Sequence, residues 1–102
     1  MVVRIDKPYG FVEWDVRDHK IGEICDIVVT DQKERGKGYG SKLIEEAIKQ
    51  MRKKKLRYCY VFTELNNPTA QRFYERKGFT RIGELSAMYS GTRDGVIYGK
   101  TI

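Results

Sequence analysis

Between residues 21 and 65 the chain reads strand, glycine-rich turn, amphipathic helix, strand, and that order leaves few ways to fold. IGEICDIVVT (21–30) ends in the branched residues that favour strands. Leu43, Ile44, Ala47, Ile48 and Met51 then recur at the spacing of one helix face. Glu45 stands one turn ahead of Lys49, a favourable order. Arg52, Lys53, Lys54 and Lys55 crowd the far end, where the helix dipole welcomes cations. YCYVFTEL (58–65) is a second strand. Two strands joined through a helix pair parallel, because only a long crossover returns the chain in the same direction.

The flanks read differently. VVRI (2–5) and FVEWDV (11–16) are strands joined by the turn KPYG (7–10), and the polar turn RDHK (17–20) leads to the strand at 21–30. Alternation places Val12, Trp14 and Val16 on one face and Phe11, Glu13 and Asp15 on the other. After residue 65, Asn67 followed by Pro68 is a strong helix start: a capping side chain, then proline at the first helical position. Ala70, Phe73 and Tyr74 share one side of that helix. Gly78 ends it, with Phe79 as the hydrophobic contact behind. FTRIGELSAMYS (79–90) and GVIYGKTI (95–102) are closing strands about the turn GTRDG (91–95). The predicted order is β-β-β-α-β-α-β-β. The fold class is α/β (α+β), a mixed and mostly antiparallel sheet with one parallel βαβ pair and two main helices. The whole of 1–102 is expected to be one domain.

With 40% hydrophobic and 33% charged residues, the chain has a thin core and a heavily charged surface, so self-association, most simply a homodimer, is expected. No apolar run approaches the roughly 20 residues that span a bilayer, and the start has no signal-peptide core. Two cysteines do not make a disulfide framework. Cys25 and Cys59 are expected as reduced, buried core thiols in a cytoplasmic protein. His19 sits in a polar turn with no cluster around it, so no metal is expected. The net charge of +6 favours anionic partners without choosing among them.

RGKGYGSK (35–42) narrows that choice. It lies between a strand and a helix N-terminus, where the first N–H groups lack internal partners and carry partial positive charge. Glycines let a backbone approach an anion closely, and Arg35 and Lys37 add charge. The spacing is neither that of a Walker loop nor of a dinucleotide fingerprint. The segment does read Arg-x-x-Gly-x-Gly, with Arg35, Gly38 and Gly40 at the marked places. In that form it resembles the acyl-CoA loop of the GNAT superfamily of N-acetyltransferases. NPTAQRFYERKGF (67–79) is similar to the same family's Asn-x-x-Ala-x-x-Phe/Leu-Tyr-x-x-x-Gly-Phe motif at every position. The resemblance covers about residues 11–85 and extends loosely to the end. The chain begins near the family's second strand, so an N-terminally abbreviated member is expected.

The resemblance implies a mechanism and its residues. The cosubstrate is acetyl-CoA, and the acceptor a primary amine, which the sequence does not identify. The strand before the loop would bind the pantetheine arm through Val28, Val29 and Thr30, with the Val28 N–H polarising the thioester carbonyl. The N–H groups of Gly36, Lys37, Gly38, Tyr39, Gly40 and Ser41 would hold the pyrophosphate beside Arg35. Tyr74 would protonate the departing sulfur. Asn67 would contact the pantetheine arm as well as cap its helix. Asp26 and Glu23, ahead of Glu64, are the carboxylates named to take the proton of the amine, with a water relay beside them.

Two other functions remain. One is a GNAT-like protein that binds acyl-CoA without catalysis. The other is an RNA-binding domain, since KPYGFVEW (7–14) comes near the K/R-G-F/Y-G/A-F-V-x-F/Y pattern with Tyr9, Phe11 and Trp14 as base-stacking residues. Pro8 and Trp14 break that pattern, and it falls too early in the chain, so a nucleic-acid partner is not expected. The run KKKLR (53–57) reads as helix-end decoration.

Overall fold

A computed structural model describes residues 1–30, 38–89 and 93–102. Its elements are β1 (Val3–Lys7), β2 (Gly10–Arg17), β3 (Ile21–Val29), α1 (Tyr39–Lys53), β4 (Tyr58–Glu64), α2 (Pro68–Arg76), β5 (Thr80–Tyr89) and β6 (Arg93–Thr101). The six strands form one sheet in the order β1-β2-β3-β4-β6-β5. The sheet is mostly antiparallel with one parallel pair, as the crossover through α1 requires. Contacts divide the chain into two compact units, Met1–Cys59 with Ile102, and Tyr60–Thr101. No helix among the described residues is long and apolar enough to cross a membrane.

In the first unit, β2 is the centre of an antiparallel meander, with β1 on one side and β3 on the other. Val12, Trp14 and Ile24 are buried from the sheet, and Leu43, Ile44, Ala47, Ile48 and Met51 from α1. These are the helical positions the periodicity selects. Each large side chain so enclosed is worth about 1.5–3 kcal/mol. Trp14 also donates its indole N–H to Gln50 Oε1 at 3.0 Å, so its polar atom is satisfied inside the core.

The alternation has one interruption. Glu13 pairs with Asp26 but Trp14 pairs with Ile24, so Cys25 is an extra residue on β3, a β-bulge. The expected burial of Cys25 is corrected: it follows buried Ile24 and is exposed, while Cys59 is buried as expected. Val16 also departs from its expected face: it is 45% exposed, although it continues the Val12–Trp14 alternation. The polar turn after it is a single 3-10 turn at Asp18–Lys20, with His19 and Lys20 at positive φ.

In the second unit, Tyr74, Phe79, Val96 and Tyr98 are buried. Tyr74 packs edge-on against Phe73 and Phe79, with ring centres 5.1 and 5.5 Å away. Tyr98 donates its hydroxyl hydrogen to Glu75 Oε2 at 3.0 Å, and burial, then that carboxylate, pushes its pKa up. Lys100 donates from Nζ to Lys77 O at 2.8 Å and so ties down the end of α2. β6 begins at Arg93, inside the expected GTRDG turn, because Arg93 already pairs with Tyr89.

Candidate active site

The end of β3 is set by its pairing with β2. Phe11 opposes Val28 and Gly10 opposes Val29, and Thr30 donates its N–H to Tyr9 O at 2.9 Å. In a strand, backbone N–H groups two residues apart point the same way. The N–H groups of Thr30 and Val28 therefore face β2, while those of Ile27 and Val29 face away from it. By this alternation the Val28 N–H is directed to the β2 side, and the groups on the other edge of β3 lie one residue earlier and one later.

Gly10 makes this arrangement possible. Its φ is 155°, and a Cβ there would lie 2.9 Å from Val29 Cα and closer still to Val28 O. No larger residue fits without moving that segment of β3.

α1 begins earlier than composition suggests. Tyr39, Gly40 and Ser41 form its first turn, and Gly38 is the N-cap at φ 80°. Lys42 N donates to Gly38 O at 3.0 Å, the first bond of the helix. The four N–H groups before it have no partner within the helix, and the N-cap glycine has no side chain to cap them. Open space surrounds Gly38 where a Cβ would be, among the described residues. Tyr39 stacks on Tyr9 with ring centres 4.2 Å apart and planes at 13°, which anchors the helix start to the β1–β2 turn. Lys42 lies 5.3 Å from the Tyr39 ring. Arg35, Gly36 and Lys37 lie outside the described residues.

Asp26 is exposed beside the bulge. Glu23 is engaged by Arg17 at 2.8 Å, and Arg17 also meets Asp15 at 2.7 Å. The Arg17 hydrogen bond holds the Asp15 carboxyl below its ordinary range. Partial desolvation, then the Glu23 carboxylate, pushes the Cys25 thiol up, so the exposed cysteine is a poor nucleophile near neutrality. Among the described residues no three His, Cys, Asp or Glu side chains are grouped to hold a metal.

On α2, Asn67 Oδ1 accepts from Ala70 N at 3.1 Å, and Pro68 follows at the first helical position. Gly78 has φ 87° and Phe79 N donates to Tyr74 O at 2.9 Å, which closes the helix as the sequence implies. Tyr74 is only 4% exposed.

The three aromatics considered for RNA do not form one surface. Trp14 is fully enclosed under α1, whereas Phe11, on the opposite face, lies beneath the Arg4 guanidinium at 3.7 Å. Tyr9 already has Tyr39 on one face of its ring.

Residues 1–79 match the acetyltransferase (GNAT) family, and the chain belongs to it. That family's chemistry is acyl-CoA-dependent acetyl transfer. An acetyltransferase of Agrobacterium fabrum is 44% identical over 57 residues, 56% of this chain and 40% of that protein. An uncharacterised N-acetyltransferase of Methanocaldococcus jannaschii is 35% identical over 79 residues, 72% of this chain and 34% of that one. The chain thus spans well under half the length of these relatives. Among solved structures, a candidate streptothricin acetyltransferase of Bacillus anthracis in complex with acetyl coenzyme A superposes with a TM-score of 0.84 at 26% identity. That match covers 92% of this chain and 56% of the other.

Proposed function

We propose that this chain takes part in moving an acetyl group from acetyl-CoA directly to a primary amine. The observation that carries the reading is the start of α1 at Gly38, a left-handed glycine with nothing among the described residues within 4 Å of where a Cβ would lie, in a chain of the GNAT family. Acetyl-CoA, when bound, supplies an acyl group already activated as a thioester. The N–H groups of Gly38, Tyr39, Gly40 and Ser41 hold the pyrophosphate, with Arg35, Gly36 and Lys37 contributing from the preceding segment. The outward N–H groups of β3 serve the rest of the cosubstrate. Ile27 polarises the carbonyl, one residue before the Val28 that the resemblance implies, and Val29 binds the pantetheine arm. Thr30 retains its side chain for the same arm, since its N–H is bonded to Tyr9.

As the carbon–nitrogen bond forms and the carbon–sulfur bond breaks, the amine loses a proton and the departing thiolate gains one. Asp26 is the first choice for taking that proton, because Glu23 is held by Arg17. Tyr74 is the proposed donor to sulfur. A pH–rate profile unmoved by Asp26→Asn and by Glu23→Gln would transfer the base role to water. We also propose a homodimer and a cytoplasmic setting. Exposed Ile82 and Leu85 on β5 support self-association, and a monodisperse monomer in light scattering at working concentration would refute it.

The first test is calorimetry with acetyl-CoA. Micromolar binding that Gly38→Glu abolishes is the expected result, because a carboxylate beside those N–H groups repels the pyrophosphate. Release of CoA thiol with a panel of amines then separates catalysis from binding alone. Absence of acetyl-CoA binding would overturn the reading.

A further inference from the structure

The end of α1 and the turn after β2 meet at one end of the first unit. Arg57 N donates to Lys20 O at 2.8 Å, which brings residues 18–20 beside residues 52–57. Together they carry Lys20, Arg52, Lys53, Lys54, Lys55 and Arg57, all exposed, with Asp18 as the acid within these two segments. No ion pair or side-chain hydrogen bond engages any of the six cations among the described residues. The remaining Lys and Arg equal the Asp and Glu at 14 each, so these six match the whole formal net charge of +6.

The helix dipole accounts for Arg52 and Lys53. It does not account for Lys20 and Arg57, which lie outside the helix. Nor are the lysine side chains needed to close it. The backbone N–H groups of Lys54, Lys55 and Leu56 already serve the carbonyls of Gln50, Met51 and Arg52, and buried Leu56 pins the turn to the core. A second observation is independent of charge. The non-glycine residues at positive φ among the described residues are His19 at 63°, Lys20 at 61° and Lys55 at 67°, and all of them lie here. A left-handed conformation suits glycine, and a side chain there costs stability. Strained backbone of this kind collects at functional surfaces. The two turns thus hold cations where glycine would be the more stable choice.

We propose that this end of the protein docks by charge on the phosphate backbone of a nucleic-acid duplex. Cations fixed on hydrogen-bonded turns suit the closely spaced, fixed charges that a duplex presents. Residues 18–20 and 52–57 hold no Phe, Tyr or Trp, so the contact is to phosphates and not to stacked bases. The large exposed apolar residue nearest to them in sequence is Val16, too little to enter a lipid surface. The surface lies about 22 Å from the start of α1, the length of a 15-residue helix, and does not depend on the acetyl-CoA reading.

The experiment follows fluorescence anisotropy of short labelled RNA and DNA duplexes between about 50 and 200 mM salt. Wild type is expected to bind, with affinity falling on a log–log slope of about −4, the release expected from four or five phosphate contacts. Lys20→Gly with Lys55→Gly removes two cations at the positions where glycine relieves strain. It should weaken binding about tenfold or more and flatten the slope by about 2. Its unfolding midpoint should be unchanged or higher. Lys53→Gln with Lys54→Gln should weaken binding in the same way. Lys7→Gln with Lys42→Gln makes the same charge change beside the start of α1 and should leave the slope as it is. Binding confined to RNA or to DNA supports the proposal and names the source. Absence of duplex binding at the lowest salt overturns it, as does equal weakening by the Lys7 and Lys42 pair. Tighter binding to polyglutamate, or to phosphatidylcholine vesicles containing phosphatidylserine, than to either duplex also overturns it.

Discussion

Gly10 is the residue on which the geometry of the β3 end most depends. At φ 155°, with Val29 Cα 2.9 Å from where a Cβ would lie, alanine fits only if the strand moves. Gly10→Ala should therefore destabilise the fold by about 1–3 kcal/mol. It should also weaken acetyl-CoA binding, since Val28 and Val29 shift with it. Chemical denaturation and calorimetry on the same variant check both parts; an unperturbed midpoint would refute the strain argument. At this scale the sequence was a partial guide. Trp14 and the apolar face of α1 could be read from periodicity, because burial follows spacing wherever a strand or helix is regular. Cys25 could not. It follows buried Ile24 and lies on the outer side, and the extra residue leaves Asp26 exposed beside it; a bulge without glycine leaves no mark in composition.

At the scale of elements, α2 was fully legible and α1 was not. Asn67-Pro68 at one end and Gly78-Phe79 at the other each have a local physical reason, and the capping bond and the positive φ appear where expected. The start of α1 was hidden because glycines at 38 and 40 read as loop. Gly38 is in fact the N-cap, and Tyr39 and Gly40 already lie in the first turn. β6 likewise starts inside a segment rich in turn residues. Asn67 gives a prediction at this scale, because its two proposed roles separate by substitution. Asn67→Ala removes the cap and should cost about 1 kcal/mol. Asn67→Asp keeps an oxygen for Ala70 N, so stability should hold. It loses the amide N–H₂, which is not used by the cap, so acetyl-CoA affinity should fall if that group meets the pantetheine arm. Equal affinity in wild type and Asn67→Asp would leave Asn67 a cap only.

For the whole molecule the deciding quantities are charge and linkage. The chain carries a formal net charge of +6 and the proposed cosubstrate is a polyanion, so their attraction reaches beyond contact distance and salt weakens it. A ligand that binds only the folded state stabilises it by about 2.7 kcal/mol at a hundred times its dissociation constant. For a domain of this size that shifts the unfolding midpoint by roughly 10–20 °C. Acetyl-CoA should therefore raise the midpoint strongly at low salt and less at 0.5 M. The shift should survive in part, because backbone N–H groups at a helix start bind phosphate by directed hydrogen bonds as well as by charge. Single-stranded RNA is the control that gives the measurement its force. A protein that holds RNA by lysines alone releases counterions, and its affinity collapses as salt rises. With Trp14 buried and Phe11 under Arg4, no shared stacking surface remains from the three aromatics to hold RNA at high salt. Scanning calorimetry at two salt concentrations should thus show a persistent shift with acetyl-CoA and none with RNA at 0.5 M. The reverse pattern would mean that base stacking on this protein, and not the start of α1, selects the partner.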